Sequence, residues 1–277
     1  MTLPEFATIA LAVAGPLGRI TLNRPDRLNA VGATMMRELV AAASFFDGLM
    51  DVRVVIVSGA GRAFCAGADL QDSPLGGASP RSPTGASPQS GKSWAERREL
   101  GQLGLRMADA LEGMRAVTIA QVHGYAVGGG LVLAAVCDLR VAAEDAVFSI
   151  PEVELGIPLA WGGIPRLVRE IGPALTKELV MTCRRFTPAE AKAAGFLNRV
   201  VPAAQLAAEV EALAAQLLAM PSVPVTITKE HVNSVARAMG AGTTSFADGD
   251  ALLSAAFDPE SLEAAGRYMA KTVRRKK

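Results

Sequence analysis

The chain has 277 residues, half of them hydrophobic, and a formal net charge of +1 at pH 7. So small a charge gives no field that would favour a nucleic acid or an anionic membrane, and the hydrophobic share is sufficient for a full core. The two histidines and three cysteines show no metal-ligand spacing, so we expect neither a metal centre nor a disulfide framework.

The sequence gives no sign of export or of a membrane span. Its start, MTLPEF, has neither the basic nor the apolar segment of a secretory signal peptide. The most apolar run, at 125–136, has 12 residues, whereas a span needs about 20. The cysteines, Cys65, Cys137 and Cys183, lie in apolar surroundings typical of reduced core residues. We therefore expect a cytoplasmic protein.

Strand and helix patterns alternate through the first part of the chain. Two β-rich runs, FATIALAVAG and GRITLN, flank a Gly-Pro turn, and a helical pattern follows at 33–49. The runs VRVVIVSG (52–59) and VTIAQV (117–122) are typical of buried strands, with a helical pattern between them at 94–115. The run LRVAA (139–143) predicts a further strand.

Helical patterns dominate the rest of the chain. Beyond about residue 163 strand patterns nearly vanish, and helices are predicted at 165–171, 173–183, 187–193, 202–219, 223–238 and 258–271. The Ser-, Pro- and Gly-rich stretch 72–93 predicts a mobile loop. We therefore predict a β/α core over 1–200 and a helical region over 201–277.

Two loops of small residues carry the strongest functional signal. CAGADL (65–70) follows a predicted buried strand, and the triplet Gly128–Gly130 follows another and opens a helix. Amides at a helix start are unpaired donors, and small residues let a ligand approach the main chain. The glycines of each loop alone could simply allow close packing. Amides of two such loops, from neighbouring strands, could instead donate to one oxygen and form an oxyanion hole. Without a histidine base, Cys65 is interpreted as a packing residue.

Four segments in register resemble the crotonase family, the enoyl-CoA hydratases and isomerases. They are ITLNRPDRLNA (20–30), GRAFCAGADL (61–70), HGYAVGGGLVLAAVCDLRVAAEDAVFSIPEVELG (123–156) and RRFTPAEAKAAGFLNRVV (184–201). The resemblance covers nearly the whole chain and implies an α/β (α+β) fold, a spiral of ββα units followed by C-terminal helices that mediate trimerisation. It also implies an acyl-CoA thioester substrate, no cofactor beyond the substrate's coenzyme A, and a homotrimer or a dimer of trimers.

The same resemblance assigns roles to individual residues. Ala68 and Gly129 would donate the two oxyanion-hole amides, and Glu152 would transfer the proton, with Glu154 as a nearby alternative. Asn29 and its neighbours would shape the path of the adenine and pantetheine. The substrate-binding positions that the resemblance implies are Arg27, Leu28, Ala30, Arg62, Ala66, Asp69, Leu70, Val132 and Trp161.

Two departures from the family pattern bear on the reaction. Hydratases of the family carry one glutamate just after the glycine triplet and another in the IPEVELG segment, and these positions are Val132 and Glu152 here. One carboxylate can still move a proton from C2 to C4, so isomerisation of a 3-enoyl-CoA fits best. A weak hydratase and a noncatalytic acyl-CoA binding protein are the alternatives. Trp161 stands where the family often has a small residue, and we expect it to narrow the acyl pocket.

Overall fold

The structure is a computed structural model that describes residues 2–70, 93–240 and 247–274. Within these ranges, the main sheet has six strands in the order β1-β2-β3-β4-β6-β8, and β5 pairs with β7 in a second sheet. The β1–β2 pair is antiparallel and the other pairs are parallel. The strands are β1 (Ile9–Ala14), β2 (Leu17–Leu22), β3 (Val54–Gly59), β4 (Val117–Val122), β5 (Tyr125–Val127), β6 (Leu139–Ala143), β7 (Val147–Ser149) and β8 (Arg199–Val201).

The helices cover both faces of the main sheet and form the described part of the chain after β8. They are α1 (Ala33–Asp47), α2 (Trp94–Glu112), α3 (Gly129–Ala135), α4 (Gly163–Thr182), α5 (Pro188–Ala193), α6 (Leu206–Ala219), α7 (Ser222–Gly240), α8 (Asp248–Ala255) and α9 (Pro259–Arg274). No helix of the described ranges is by itself long and apolar enough to cross a membrane. The bent pair Ala203–Ala219 and Ser222–Met239 would pass that test jointly, by length and composition.

The central strands are apolar on both faces because the sheet separates two hydrophobic layers. On β3, Val54 and Ile56 face a layer that α6 completes, whereas Val55 and Val57 face the larger layer with α1 and α2. Successive side chains of a strand point to opposite faces, so a strand buried on both sides reads as a continuous apolar run. This burial explains why VRVVIVSG does not alternate between polar and apolar residues.

The structure confirms the predicted strands at β1–β4 and β6, and the helices at α1, α2, α6, α7 and α9. The two helical patterns at 165–171 and 173–183 form one element, α4, which is broken at Gly172 (φ 76°, ψ 162°). The short strands β5, β7 and β8 and the helix α8 were not predicted. The predicted loop at 72–93 lies, apart from Ser93, outside the described residues.

Candidate active site

The two loops of small residues meet through a short main-chain ladder. The Cys65 amide donates to the Tyr125 carbonyl (2.9 Å), and the Val127 amide donates to the Cys65 carbonyl (3.1 Å). Gly67 has φ 93°, and a Cβ placed on it would lie 2.6 Å from the Val127 carbonyl oxygen and 3.5 Å from the Gly129 amide nitrogen. Only glycine fits there, because both the backbone conformation and the contact exclude a side chain.

The loops leave two amides without partners at one place. Among the residues that the structure describes, no acceptor is within hydrogen-bond reach of the Ala68 or the Gly129 amide. Gly129 is the first residue of α3, where an amide has no partner within the helix. Both residues line one cavity. Two such donors aimed at one point can stabilise an oxygen that gains negative charge.

Glu152 places a buried carboxyl group beside these amides. It follows β7, and its side chain packs on the glycine triplet so closely that a Cβ on Gly128 would lie 2.2 Å from Oε1. Its Oε2 is buried and has no hydrogen-bond partner in the described part of the chain. Burial raises the pKa of Glu152 from 4.5 to about 7, against a smaller lowering by a main-chain hydrogen bond. Near neutral pH the group can therefore either accept or deliver a proton.

The cavity around these groups is otherwise apolar. It has a volume of about 40 Å³, and Glu152 is the one titratable side chain among its described lining residues. Besides Ala68, Gly129 and Glu152, the lining consists of Leu100, Gly101, Ile157, Pro158, Leu159, Ala160, Trp161 and Leu252. The arrangement combines two free amides, one carboxyl group with a raised pKa and an apolar chamber, which suits proton transfer next to a carbonyl.

Comparison with known proteins shows which family the chain belongs to. The sequence model of the family described as enoyl-CoA hydratase/isomerase matches residues 14–272. The chain belongs to the enoyl-CoA hydratase/isomerase family. This is the crotonase family, so the resemblance drawn from the sequence is confirmed, and the protein is an enzyme of acyl-CoA metabolism.

Individual relatives include both hydratases and isomerases by name. The enzyme is 36% identical over 239 residues, 82% of each chain, to a probable enoyl-CoA hydratase echA8 from Mycobacterium bovis. It is 36% identical over 203 residues, 72% of each chain, to a peroxisomal Delta(3,5)-Delta(2,4)-dienoyl-CoA isomerase from Arabidopsis thaliana. An enoyl-CoA hydratase/isomerase structure from Xanthobacter autotrophicus Py2 matches with a TM-score of 0.83 and 28% identity over 98% of each chain. The expected crotonase fold, α/β with C-terminal helices, is thereby confirmed.

In this crotonase-family enzyme, Val132 lies behind the cavity wall. Its side chain is 1% exposed, and a Cβ placed on Gly163 would lie 2.8 Å from its Cγ2. It does not belong to the cavity lining. The resemblance predicts Val132 as a substrate-binding position, whereas the structure packs its side chain against the start of α4, outside the described lining of this cavity. A second carboxylate at this position would therefore be buried in the core.

Trp161 lies in the cavity wall. Its backbone adopts φ 61°, a conformation that bulky residues rarely adopt. The indole touches two glycines, because a Cβ on Gly129 would lie 2.1 Å from its Cζ3 and a Cβ on Gly104 of α2 would lie 2.0 Å from its Cδ1. The ring therefore fills the space between α3 and α2.

The other predicted binding residues lie outside this cavity, around the loop at 65–70. The Asp69 carboxylate is 2.8 Å from Arg24 Nη2 and 3.7 Å from Arg27 Nη1. Leu28 accepts a hydrogen bond from the Ala66 amide (2.9 Å), and Arg24 donates to the Ala30 carbonyl (2.6 Å). Arg62 is exposed and Leu70 is half-buried. Arg24 was not singled out in the sequence, although it stands in the same ITLNRPDRLNA segment.

Asn29 and Cys65 support the loops from within. The Asn29 side chain is fully buried, and it donates to the Ala60 and Ala63 carbonyls at 2.9 and 2.8 Å. Asn29 therefore holds the chain around Ala60 and Ala63 in place without exposing its own surface. Burial raises the pKa of the Cys65 thiol to about 12, which agrees with a packing residue and not a nucleophile.

Proposed function

We propose that this enzyme isomerises a 3-enoyl-CoA thioester to the 2-enoyl isomer with Glu152 as the single proton carrier. The observation that supports the proposal best is the composition of the cavity. Glu152 is the one titratable side chain among the described lining residues, and it lies next to the amides of Ala68 and Gly129.

In this mechanism, the thioester carbonyl oxygen accepts hydrogen bonds from the Ala68 and Gly129 amides. The ionised Glu152 removes a proton from C2, the electron pair of that bond delocalises into the thioester as a dienolate, and the two amides stabilise the charge on oxygen. Glu152 then returns the proton to C4, and the double bond moves from C3–C4 to C2–C3. The carboxylate begins and ends the cycle ionised, so no second acid is needed.

The pKa of about 7 at Glu152 suits this double role. A general base works best when its pKa lies near the operating pH, because it must both take the proton and give it back. The same burial that raises the pKa also removes competing water from the carboxylate.

Hydration of a 2-enoyl-CoA is the second candidate, because the Mycobacterium bovis relative is described as a probable hydratase. Hydration needs a water activated on one side and a proton delivered to carbon on the other, which two carboxylates usually share. The described lining supplies one carboxylate, so we expect weak hydration. A noncatalytic acyl-CoA binding protein is the third candidate, and the retention of Glu152 speaks against it.

Two steady-state assays distinguish the three candidates. Isomerisation of a 3-enoyl-CoA creates the ultraviolet absorbance of a conjugated thioester, and hydration of a 2-enoyl-CoA removes it. We expect isomerisation to exceed hydration and Glu152→Gln to lower it about 10²- to 10⁴-fold. Glu154→Gln is the matched control, because that carboxylate is 44% exposed and pairs with Lys271 (2.8 Å). Two outcomes would contradict the proposal: hydration as fast as isomerisation, or a loss of isomerisation in Glu154→Gln equal to that in Glu152→Gln.

We also propose that the enzyme assembles as a homotrimer or a dimer of trimers through its C-terminal helices. Support comes from α7, where Val223, Ile227, Val232, Val235 and Met239 are between 43% and 77% exposed in the single chain. Apolar surface of this extent commonly marks an interface. A monomer by light scattering at micromolar concentration would contradict this assembly.

The division of the chain at residue 200 and its cytoplasmic location remain predictions. In support of the division, β8 ends at Val201, and the elements that follow it in the described ranges are helices. Leu252 nevertheless reaches the cavity from the second region, so the two regions would share the site. The Arabidopsis relative is described as peroxisomal, and imaging of a fluorescent fusion in the source cell would test the location.

A further inference from the structure

The indole of Trp161 occupies a notch that two helices provide together. Gly129 at the start of α3 and Gly104 within α2 both lack the Cβ that would collide with the ring, at 2.1 and 2.0 Å. A glycine within a helix lowers helix stability relative to alanine. Gly104 therefore weakens α2, and the space that the indole needs explains why a glycine stands there. The Trp161 ring is thereby held between the two helices, with one edge at the place that a Cβ of Gly129 would occupy.

Helix α8 closes the same chamber from a third side. Gly249 of α8 and Gly101 of α2 approach so closely that a Cβ on Gly101 would lie 3.0 Å from the Gly249 Cα. The Asp248 carboxylate accepts a hydrogen bond from the Gly162 amide (2.7 Å), next to Trp161 in sequence. Leu252, one turn further along α8, lines the cavity.

The cavity that the described residues line is small. At roughly 10–15 Å³ for each water-sized group, a cavity of about 40 Å³ accommodates about three such groups. A carbonyl oxygen held by the Ala68 and Gly129 amides fixes one end of the acyl group, and the indole lies directly against Gly129. Along the described lining, we expect the chain beyond the carbonyl to meet Trp161 and Leu252 within a few carbons.

We propose that Trp161 is the specificity-determining residue that ends the acyl pocket and restricts the enzyme to short-chain acyl-CoA thioesters of about four carbons. This assignment rests on the proposed function for its substrate class. The residue acts by its volume, because the indole has one N–H donor and no acceptor that could take the proton.

The test removes the ring and measures chain-length preference. Trp161→Gly is the variant of choice, because glycine adopts φ 61° without strain. We expect the wild-type enzyme to favour 3-butenoyl-CoA over 3-octenoyl-CoA in kcat/KM by tenfold or more, and Trp161→Gly to raise the octenoyl-to-butenoyl ratio by about tenfold or more. Trp94→Ala is the matched control, because Trp94 is 62% exposed at the start of α2, and it should leave the ratio unchanged. An unchanged ratio in folded Trp161→Gly would overturn the assignment.

A binding measurement separates this inference from the reaction. Butyryl-CoA and octanoyl-CoA are saturated and do not react, so calorimetry reports the pocket alone. We expect the wild-type enzyme to bind butyryl-CoA more tightly and Trp161→Gly to gain affinity for octanoyl-CoA. Equal affinities in the wild type would overturn the role of Trp161 while leaving isomerisation intact. Binding of neither thioester would contradict the proposed function, and the inference with it.

A second pair of variants covers the case in which Trp161→Gly fails to fold. Gly104→Ala adds a methyl group where the indole lies, so the ring must shift, and we expect it to shift towards the cavity. We expect Gly104→Ala to weaken butyryl-CoA binding at least severalfold, and Trp161→Phe, with its smaller ring, to restore part of the loss in the double variant. If Gly104→Ala binds butyryl-CoA as tightly as the wild type, the indole does not need the space at Gly104 and Trp161 does not end the pocket.

Discussion

The two ends of the cavity differ in the groups that form them: main-chain amides at one end and side chains at the other. At the carbonyl end, the groups proposed to bind the carbonyl oxygen are the main-chain amides of Ala68 and Gly129, held by the ladder between two loops. At the far end, the wall consists of side chains from α2, the segment before α4, and α8. The first end depends on backbone conformation, and the second depends on volume.

This difference determines how each end tolerates substitution. A main-chain donor cannot be removed by an ordinary side-chain change, so the carbonyl end is sensitive to proline and to any Cβ at its glycines. The far end is lined mainly by apolar groups, so its variants should shift the preference among substrates before they abolish turnover. Each prediction below tests one side of this contrast.

The largest effect is expected at the carbonyl end. Gly129 is the first residue of α3, a position at which proline is compatible with a helix but lacks the amide hydrogen. In the Trp161→Gly background, where the contact with a new Cβ is relieved, Gly129→Pro should lower isomerisation about a hundredfold or more, roughly 3 kcal/mol of transition-state stabilisation.

The matched control is Gly129→Ala in the same background, which adds a Cβ and keeps the amide hydrogen. It should retain most of the turnover of Trp161→Gly, and circular dichroism should show both variants folded. Equal turnover in the proline and alanine variants would mean that the carbonyl oxygen is bound elsewhere.

The second prediction concerns the pH dependence that Glu152 imposes. Because the ionised carboxylate is the base, kcat/KM for a 3-enoyl-CoA should fall about tenfold per pH unit below 7 and level off above it, in line with the raised pKa of about 7 at Glu152. The plateau and its midpoint are measured from initial rates between pH 5 and 9. A midpoint near 4.5, the ordinary pKa of a glutamate, would show that the carboxyl group is solvated in the working enzyme.

The same pKa has a second readout in stability. In the folded state the Glu152 carboxyl group keeps its proton up to a pH of about 7, whereas in the unfolded chain it releases the proton near pH 4.5. The wild type should therefore lose stability relative to Glu152→Gln as the pH rises from 4.5 to 7, by roughly 3 kcal/mol in total. Denaturant unfolding at pH 5 and pH 8 measures the difference. If the difference in the free energy of unfolding between the two proteins is the same at both pH values, the carboxylate is not destabilised by burial.

Much of the carbonyl end was predictable from the sequence. Its signal is local, since CAGADL and the glycine triplet each follow a strand, and the special conformations at Gly67 and Gly128 require glycine itself. The buried strands β3 and β4 were equally clear because burial on both faces leaves a continuous apolar run.

The far end was predictable only in part. Trp161 was singled out because it departs from a family pattern, but Leu100 and Leu252 are ordinary leucines brought together from positions far apart in the chain. The strands β5 and β7 have three residues each, too few for a periodicity. One signal was available and not used: Gly101 and Gly104 within a predicted helix indicate a close approach on that face.

The smallest effect is expected where α8 holds the segment that carries Trp161. The Asp248 carboxylate accepts the Gly162 hydrogen bond at 2.7 Å, and partial burial raises the pKa of Asp248. Asp248→Ala removes this acceptor, and a single hydrogen bond is worth about 0.5–1.5 kcal/mol. The looser Trp161 segment should raise the octenoyl-to-butenoyl ratio in kcat/KM a few fold.

Asp250→Ala is the control on the same helix. The ion pair of Asp250 with Arg98 (2.9 Å) is more than one third exposed on both sides, so this variant should change the ratio less than about twofold. If both variants raise the ratio equally, the packing of α8 as a whole positions Trp161, and the hydrogen bond from Gly162 has no separate role.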